Sequence, residues 1–404
     1  MKLTVTEKLL TEMFARFAPI GALPGGGVTR LAYTEQEDAM HECFRDAARA
    51  LGFRVWTDCV GNSYAAAFPE GTQGYTLLGS HLDSVIEGGE YDGVAGVLAG
   101  LAVLCELRAR KNPLPVAVAA FRCEESSNFR VCTVGSGLVT GTLEDDVLRA
   151  ASDRQGVPLL AHLRAHGYEK DAALLRGCAR YLELHIEQGR VLQERGCEIG
   201  VVSAIAAPHR YVLRLNGMAE HSGATPMPLR RDSLCAAAEV ILAVERAGQE
   251  EAANDSVATV GAVENRPNVM NAVPGTTTLQ IDLRGIREDS LRRLEQAVTR
   301  RVEEICARRG IDYALKAADI KHPVQLDEAL QRALCAAAET AGLSHMVMPS
   351  GAGHDAMSFA ELCPTGMVFI PCRDGVSHNI REHTELSQIE NGVLVLLHLL
   401  SGEA

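Results

Sequence analysis

Four apolar runs in this chain stop abruptly at residues that bind metals or move protons. They are TLLGSHLDS, with His81 and Asp83; VAVAAFRCEES, with Glu124 and Glu125; YLELHIEQG, with His185; and MVFIPCRDGVSHN, with His378. In an open α/β sheet, ligands bind beyond the carboxyl ends of the strands. Strands of this kind would therefore deliver histidines and carboxylates from four distant parts of the chain to one edge.

The remaining pattern agrees with such a sheet. Residues 45 to 205 alternate strand and helix signals, with strands expected at Tyr75–Ser80, Val116–Cys123 and Tyr181–Glu187. Between the first two, Val94, Val97, Leu98, Leu101, Leu104 and Cys105 recur at helical spacing and predict a helix over Val94–Arg108. Alternating β and α elements imply a largely parallel sheet flanked by helices. From about residue 209 the order changes to a strand at Arg210–Asn216, a helix at Asp232–Ala247 opened by an Asp cap, and strands at Ser256–Glu264 and Thr276–Arg284. A long helix at Asp289–Arg309 and a strand at Ile311–Ala318 complete it. That βαββαβ order is a ferredoxin-like α+β unit, which closes as a domain of its own. After about 328 a helix at Glu328–Ala341 and a strand at Met367–Pro371 resume the α/β pattern. The fold expected is a discontinuous catalytic α/β domain of residues 1–208 and 329–404, interrupted by an α+β domain of residues 209–328. A ferredoxin-like sheet leaves unpaired edge strands, so a two-fold homodimer through the inserted domain is expected, with hinges near 209 and 328 allowing it to act as a lid.

Composition limits what such a chain does. Of its 404 residues 47% are hydrophobic and 23% charged, an ordinary globular balance, and the net charge of −13 disfavours nucleic acid and anionic membranes as partners. No apolar run reaches the length of a membrane span. The N-terminal MKLTVTEKLLTEMFARFAPIG reads as an amphipathic helix rather than a secretory signal, since Glu7, Lys8 and Glu12 interrupt it. Twelve cysteines are scattered without CxxC pairs, as expected of reduced thiols in a cytoplasmic protein.

Each candidate site residue also has a plainer reading. His81 and His378 suit loops, Glu124–Glu125 suits a solvated turn, and Asp92 stands where it would cap the helix at Val94. His185 alternates with Glu183 and Glu187, as on the polar face of an edge strand. Taken together, adjacent carboxylates that repel each other beside three histidines call for a cation pair. Imidazole and carboxylate donors suit zinc, manganese, cobalt or nickel. Two such ions about 3.5–4 Å apart share a bridging carboxylate and lower the pKa of a shared water. Asp83, two residues after His81, is expected to accept the second ring N–H of His81 and fix its tautomer.

GSHLDSV…GGEYDGVAG, the EES run, ELHIEQG, GMAEHSGATPM with Arg231-Asp232, NVMNAVPG, SGAGHDA and GVSHN together resemble the amidase/hydantoinase/carbamoylase branch of the aminoacylase and carboxypeptidase metallohydrolases. The resemblance covers about residues 75 to 385. Within the branch it is most similar to the N-carbamoyl-L-amino-acid hydrolases, then to allantoate and ureidoglycolate amidohydrolases. The resemblance implies two divalent metal ions per chain, one held by His81 and His185, the other by Glu125 and His378, with Asp92 bridging. It implies Glu124 as general base and His221 as the group that stabilises a developing oxyanion, supplied across the dimer. It also implies Asn271 and Arg284 as the grip on a substrate carboxylate, and Gln188 facing the substrate. Read from the residues alone, Arg284 suits an exposed strand, Asn271 a turn before Pro274 and His221 a loop. His354 and Asp355 sit in a Gly-rich loop where backbone approaches a ligand, so His354 joins the substrate-side candidates. One departure stands out: the family reads EEGSRF where this chain reads EESSNF, so Asn128 replaces an arginine. The activity expected is hydrolysis of the ureido C–N bond of an N-carbamoyl-L-amino acid to the L-amino acid, carbon dioxide and ammonia, with allantoate or ureidoglycolate as the alternative substrate. The alternatives are a dinuclear peptidase or aminoacylase, or a non-catalytic binding protein on the same scaffold.

Overall fold

The computed structural model describes residues 3–112, 114–168 and 175–402. The chain divides into two compact units, Met1–Ser203 with Leu326–Ala404, and Ala204–Gln325.

In the first unit, four strands lie side by side and parallel: Val116–Phe121, Tyr75–His81, Cys178–Ile186 and Thr365–Ile370. Antiparallel strands extend this centre, Ser63–Ala66 and Arg54–Thr57 beyond Val116–Phe121, and Ile199–Ile205 beyond Thr365–Ile370. The four parallel strands are those that begin the four ligand-bearing segments, so all four segments leave the sheet at the same edge. The strand period of two then sorts their side chains. On Cys178–Ile186, Leu182, Leu184 and Ile186 join the apolar core, whereas Tyr181, Glu183 and His185 point the other way. The helix Val94–Ala109 is apolar nearly all round and buried along almost its whole length, as a helix enclosed by other elements must be. It packs on three of the parallel strands and on the helices Thr6–Phe17 and Leu386–Ser401. The N-terminal helix is thus Thr6–Phe17; Met1 and Lys2 lie outside the described residues.

Two strand ends differ from the periodicity, for a backbone reason. Val116–Phe121 stops before Cys123, which adopts a left-handed φ of 54° and swings Glu124 and Glu125 out of the strand direction. Cys178–Ile186 stops before Gln188, whose φ is 57°. Neither residue is a glycine, so sequence gives no warning of these turns. His185 is not on an edge strand, since Cys178–Ile186 lies between two parallel neighbours.

In the second unit the order is Ala207–Asn216, Ser233–Glu251, Val257–Arg266, Thr276–Gly285, Glu288–Arg309 and Asp312–Ile320, or βαββαβ. The four strands form one antiparallel sheet with Ala207–Asn216 and Thr276–Gly285 central, flanked by Asp312–Ile320 and Val257–Arg266. Leu213, Leu215, Ile281 and Leu283 alternate onto one face and pack against Val240 and Val244 of the first helix and Leu294, Val298 and Val302 of the second. Asp232 caps the first helix through the N–H groups of Leu234 and Cys235. No helix among the described residues is long and apolar enough to cross a membrane, and none of the twelve cysteines is in a disulfide.

Candidate active site

The carboxyl edge of the parallel sheet gathers His81, Asp92, Glu124, Glu125, His185 and His378. Asp92 sits at the middle, 5% exposed, with its two oxygens facing different partners. Its Oδ1 is 3.0 Å from His185 Nε2 and 3.7 Å from His81 Nε2. Its Oδ2 is 3.2 Å from His378 Nε2, and that nitrogen is 2.9 Å from Glu125 Oε1. Asp92 belongs to two of the three groups of donor atoms suited to a cation among the described residues, His81 with Asp92 and His185, and Asp92 with Glu125 and His378; the third is Glu183 with His185 and His354. Asp92 does not cap the following helix. Gly93 holds the cap position without a side-chain bond, and its φ of 67° turns the chain so tightly that a Cβ there would lie 2.5 Å from the His81 ring.

The protons on the histidines can be read from their other contacts. His81 Nδ1 is 3.1 Å from the Asp83 carbonyl oxygen, and His185 Nδ1 is 2.9 Å from the Ile186 carbonyl oxygen. A carbonyl only accepts, so both rings donate through Nδ1 and turn Nε2 lone pairs inward. Those two Nε2 atoms are 3.5 Å apart, and Asp92 Oδ1, buried beside them, finds no hydrogen-bond donor among the described residues. Three lone-pair acceptors converging in a buried place fit a cation, and the donor chemistry suits zinc, manganese, cobalt or nickel. Burial pulls the His81 imidazole down, but Asp83, Glu124 and Asp92 hold it well above the usual imidazole range. Asp92 and Glu125 likewise raise His378 to about 10.

Asp83 takes the His81 Nδ1–H through its backbone oxygen rather than its carboxylate. Its carboxylate oxygen lies 3.5 Å from His81 Nδ1, farther than its own backbone oxygen, and the shorter contact is the better hydrogen bond. The two carboxylate oxygens instead accept the backbone N–H groups of Glu124 and Glu125, at 3.1 and 3.0 Å. Asp83 thus fixes the turn that presents both glutamates. Glu124 is 3.9 Å from His81 Nε2. Burial pushes its carboxyl well above the usual range, with His81 opposing and Glu125 reinforcing.

Gln188 donates from Nε2 to Asp92 Oδ2 at 2.9 Å. His354 stands edge-on to the His185 ring, 4.6 Å away, and its Nε2 meets Ser350 Oγ at 2.8 Å. Asn128 is buried and donates to the Ala32 carbonyl oxygen at 2.8 Å, a bond that needs no charge. In the second unit, His221 and Asn271 lie together: His221 pairs with Ala272 in a short ribbon, and the Ser222 N–H reaches the Asn271 oxygen at 3.0 Å. Arg284 is on the same unit but at the far end of Thr276–Gly285, ion-paired to Asp282 at 3.0 Å. The ribbon joins beyond the Thr276 end, where Gly275 bonds to Gly217 and Arg266. Eight residue steps along the strand take Thr276 to Arg284, about 27 Å. Asn271 and Arg284 of one chain are therefore not gathered around a single carboxylate.

Three residues of the site escaped the sequence reading. Glu382 and Ser377 brace the Asp92 loop, with Ser377 Oγ 3.1 Å from Asp92 Oδ2. Glu183, behind His185, is wholly buried and accepts bonds from Ser80, Tyr181 and the Ala356 N–H. The only sequence signal for Glu183 was its register with His185, and that signal also fitted an exposed edge.

Comparison with known proteins agrees with this architecture. The signature of Peptidase family M20/M25/M40 matches residues 77–402. An N-carbamoyl-L-amino acid amidohydrolase of Geobacillus stearothermophilus is 35% identical over 96% of this chain and 96% of its own length. An allantoate amidohydrolase of Escherichia coli is 36% identical over 98% of both. The crystal structure of an amidase of the hydantoinase/carbamoylase family from Burkholderia multivorans superposes with a TM-score of 0.91 at 34% identity, covering 99% of this chain and 98% of that one. The chain belongs to peptidase family M20/M25/M40, in its hydantoinase/carbamoylase amidase branch.

Proposed function

We propose that the chain hydrolyses the ureido C–N bond of an N-carbamoyl-L-amino acid, giving the L-amino acid, carbon dioxide and ammonia. The observation that carries the hydrolytic part is Asp92, whose two oxygens serve two separate donor sets. In this reading His81 and His185 hold one divalent cation, Glu125 and His378 another, and Asp92 both. Cations so held supply Lewis acidity and an acidified water at neutral pH. Glu124, raised by burial, accepts the proton of the attacking water and returns it to the departing nitrogen. His221 is suited to meet a developing oxyanion. Its Nδ1 accepts the N–H groups of Gly223 and Ala224 at 3.1 and 3.2 Å, which leaves Nε2–H as an exposed donor.

The substrate class rests on the N-carbamoyl-L-amino acid amidohydrolase relative and on the GSHLDSV and GGEYDGVAG runs. The similarity to an allantoate amidohydrolase supports a second reading, allantoate as substrate. Ureidoglycolate is a third. Measuring ammonia release from a panel of N-carbamoyl-L-amino acids, allantoate and ureidoglycolate, with manganese, cobalt, nickel or zinc, separates these. Hydrolysis of dipeptides or N-acyl amino acids alone would sink the ureido assignment.

Arg284 is our candidate for the carboxylate grip. Losing one charge-assisted bond costs about 1.5–3 kcal/mol, roughly ten- to over a hundredfold. Arg284→Ala is expected to raise KM by that factor for carboxylate substrates and to leave a carboxamide analogue unchanged. Equal losses on both would make Arg284 structural.

The separation of Asn271 and His221 from Arg284 within one chain supports a homodimer in which His221 of the partner subunit completes each site. The edge strand Val257–Arg266 has an open side and exposes Val257 and Val263, as a strand that pairs with its own copy would. Subunit exchange between His221→Ala and Glu124→Gln chains tests this. If His221 acts across the dimer, one site in each heterodimer is intact and activity returns to the mixture. If it acts within its own chain, the mixture stays as inactive as its parents.

A further inference from the structure

Glu382 is buried and reaches the Asp92 turn from a distant part of the chain. Its Oε1 accepts the backbone N–H groups of both Tyr91 and Asp92, each at 3.0 Å. Its Oε2 accepts the Ser377 hydroxyl at 2.7 Å. The approach is possible because residue 89 is glycine: a Cβ there would lie 2.2 Å from the Glu382 carboxylate. One side chain therefore ties the loop of Asp92 to the loop of His378.

Ser377 makes this more than a brace. Its oxygen lies 2.7 Å from Glu382 Oε2 and 3.1 Å from Asp92 Oδ2, both acceptors, yet a hydroxyl has one hydrogen. The shorter contact to a carboxylate is the stronger one, so the hydrogen belongs to Glu382. Ser377 in turn can accept the second amide hydrogen of Gln188, whose Nε2 is 3.4 Å away. Asp92 Oδ2 already accepts from Gln188 with one lone pair, and the other is thereby spared a hydroxyl donor and left for the approach of His378.

We propose that Glu382 is a positioning residue that holds the Asp92 backbone and keeps the Ser377 hydrogen away from Asp92 Oδ2, leaving that oxygen's lone pair for the cation shared with Glu125 and His378. This rests on the cation pair proposed above. Glu382→Gln is the informative change because it keeps shape and size. The amide oxygen still accepts the two backbone N–H groups, but the amide nitrogen now donates to Ser377. The Ser377 hydrogen is then driven onto Asp92 Oδ2, where it competes with the cation. Replacing groups that support metal ligands typically weakens binding about 10–100-fold. Adding Ser377→Ala removes the competing hydrogen and should restore binding.

The test uses the full-length cobalt-loaded protein, with cobalt retained per chain measured against increasing chelator and the visible cobalt spectrum recorded. Wild type is expected to hold two cobalt ions. Glu382→Gln should keep one and release the other at about 10–100-fold lower chelator, with a changed spectrum and an unchanged fold by circular dichroism. The Glu382→Gln/Ser377→Ala double variant should regain the second ion, and Ser377→Ala alone should resemble wild type. Wild type that never holds a second ion overturns the cation-pair reading itself. Wild type with two ions and a Glu382→Gln variant that retains both equally overturns the role of Glu382. Loss of the second ion that Ser377→Ala fails to restore overturns the hydrogen-competition argument and leaves Glu382 a backbone clamp.

Discussion

Glu124→Gln is expected to lower turnover by about 10²- to 10⁴-fold, the range for losing a general base, while metal content stays at the wild-type level. The geometry separates the two adjacent glutamates. Glu125 Oε1 is 2.9 Å from His378 Nε2 and belongs to a donor set with Asp92, whereas the nearest imidazole nitrogen to Glu124 is 3.9 Å away. Both backbones are pinned by Asp83, so an amide at either position should not move the turn. At Glu124 the amide removes a proton acceptor. At Glu125 it removes a charged donor, so Glu125→Gln should lose metal before anything else. Side-by-side elemental analysis and kinetics check this. Near-normal turnover in Glu124→Gln, or metal loss equal in both variants, would contradict the division of roles.

The largest effect on metal content is expected from Asp92. With one oxygen toward His81 and His185 and the other toward His378 and Glu125, it is the one side chain common to both donor sets around the bridge. Asp92→Ala should therefore release both ions, and turnover should fall at least as far as in Glu124→Gln. His378→Ala should release only one. The fold should tolerate Asp92→Ala, because the backbone there is held by Glu382 through N–H groups that alanine keeps. A melting curve and metal analysis on the same preparation separate unfolding from metal loss. Full retention of one ion by Asp92→Ala would show that Asp92 serves one set alone.

Much of this was legible before any coordinates, and the reason is specific. Buried parallel strands must be apolar along their length, so a histidine or glutamate at the end of such a run is conspicuous. The second unit was legible because its strands alternate and Asp232 announces its helix. Asp92 was ambiguous because a residue two places before a helix looks the same whether it caps or ligates; only the turn at Gly93 decides. Asp83 does accept from His81, but through its backbone oxygen, and sequence proximity could not show that its carboxylate also serves backbone N–H groups some forty residues on. Glu382 was invisible because it bonds to main-chain N–H groups about 290 positions away, which no residue pattern marks. The distance between Asn271 and Arg284 needed the register of one ten-residue strand.

The measurement that bears most directly on the central claim is the metal content and position in active protein, by elemental analysis and anomalous X-ray scattering. The account predicts two transition-metal ions per chain, about 3.5–4 Å apart on either side of the Asp92 carboxylate, with ammonia release lost on chelation and regained on adding metal. Fully active protein free of transition metal, or an ion bound away from Asp92, would contradict it.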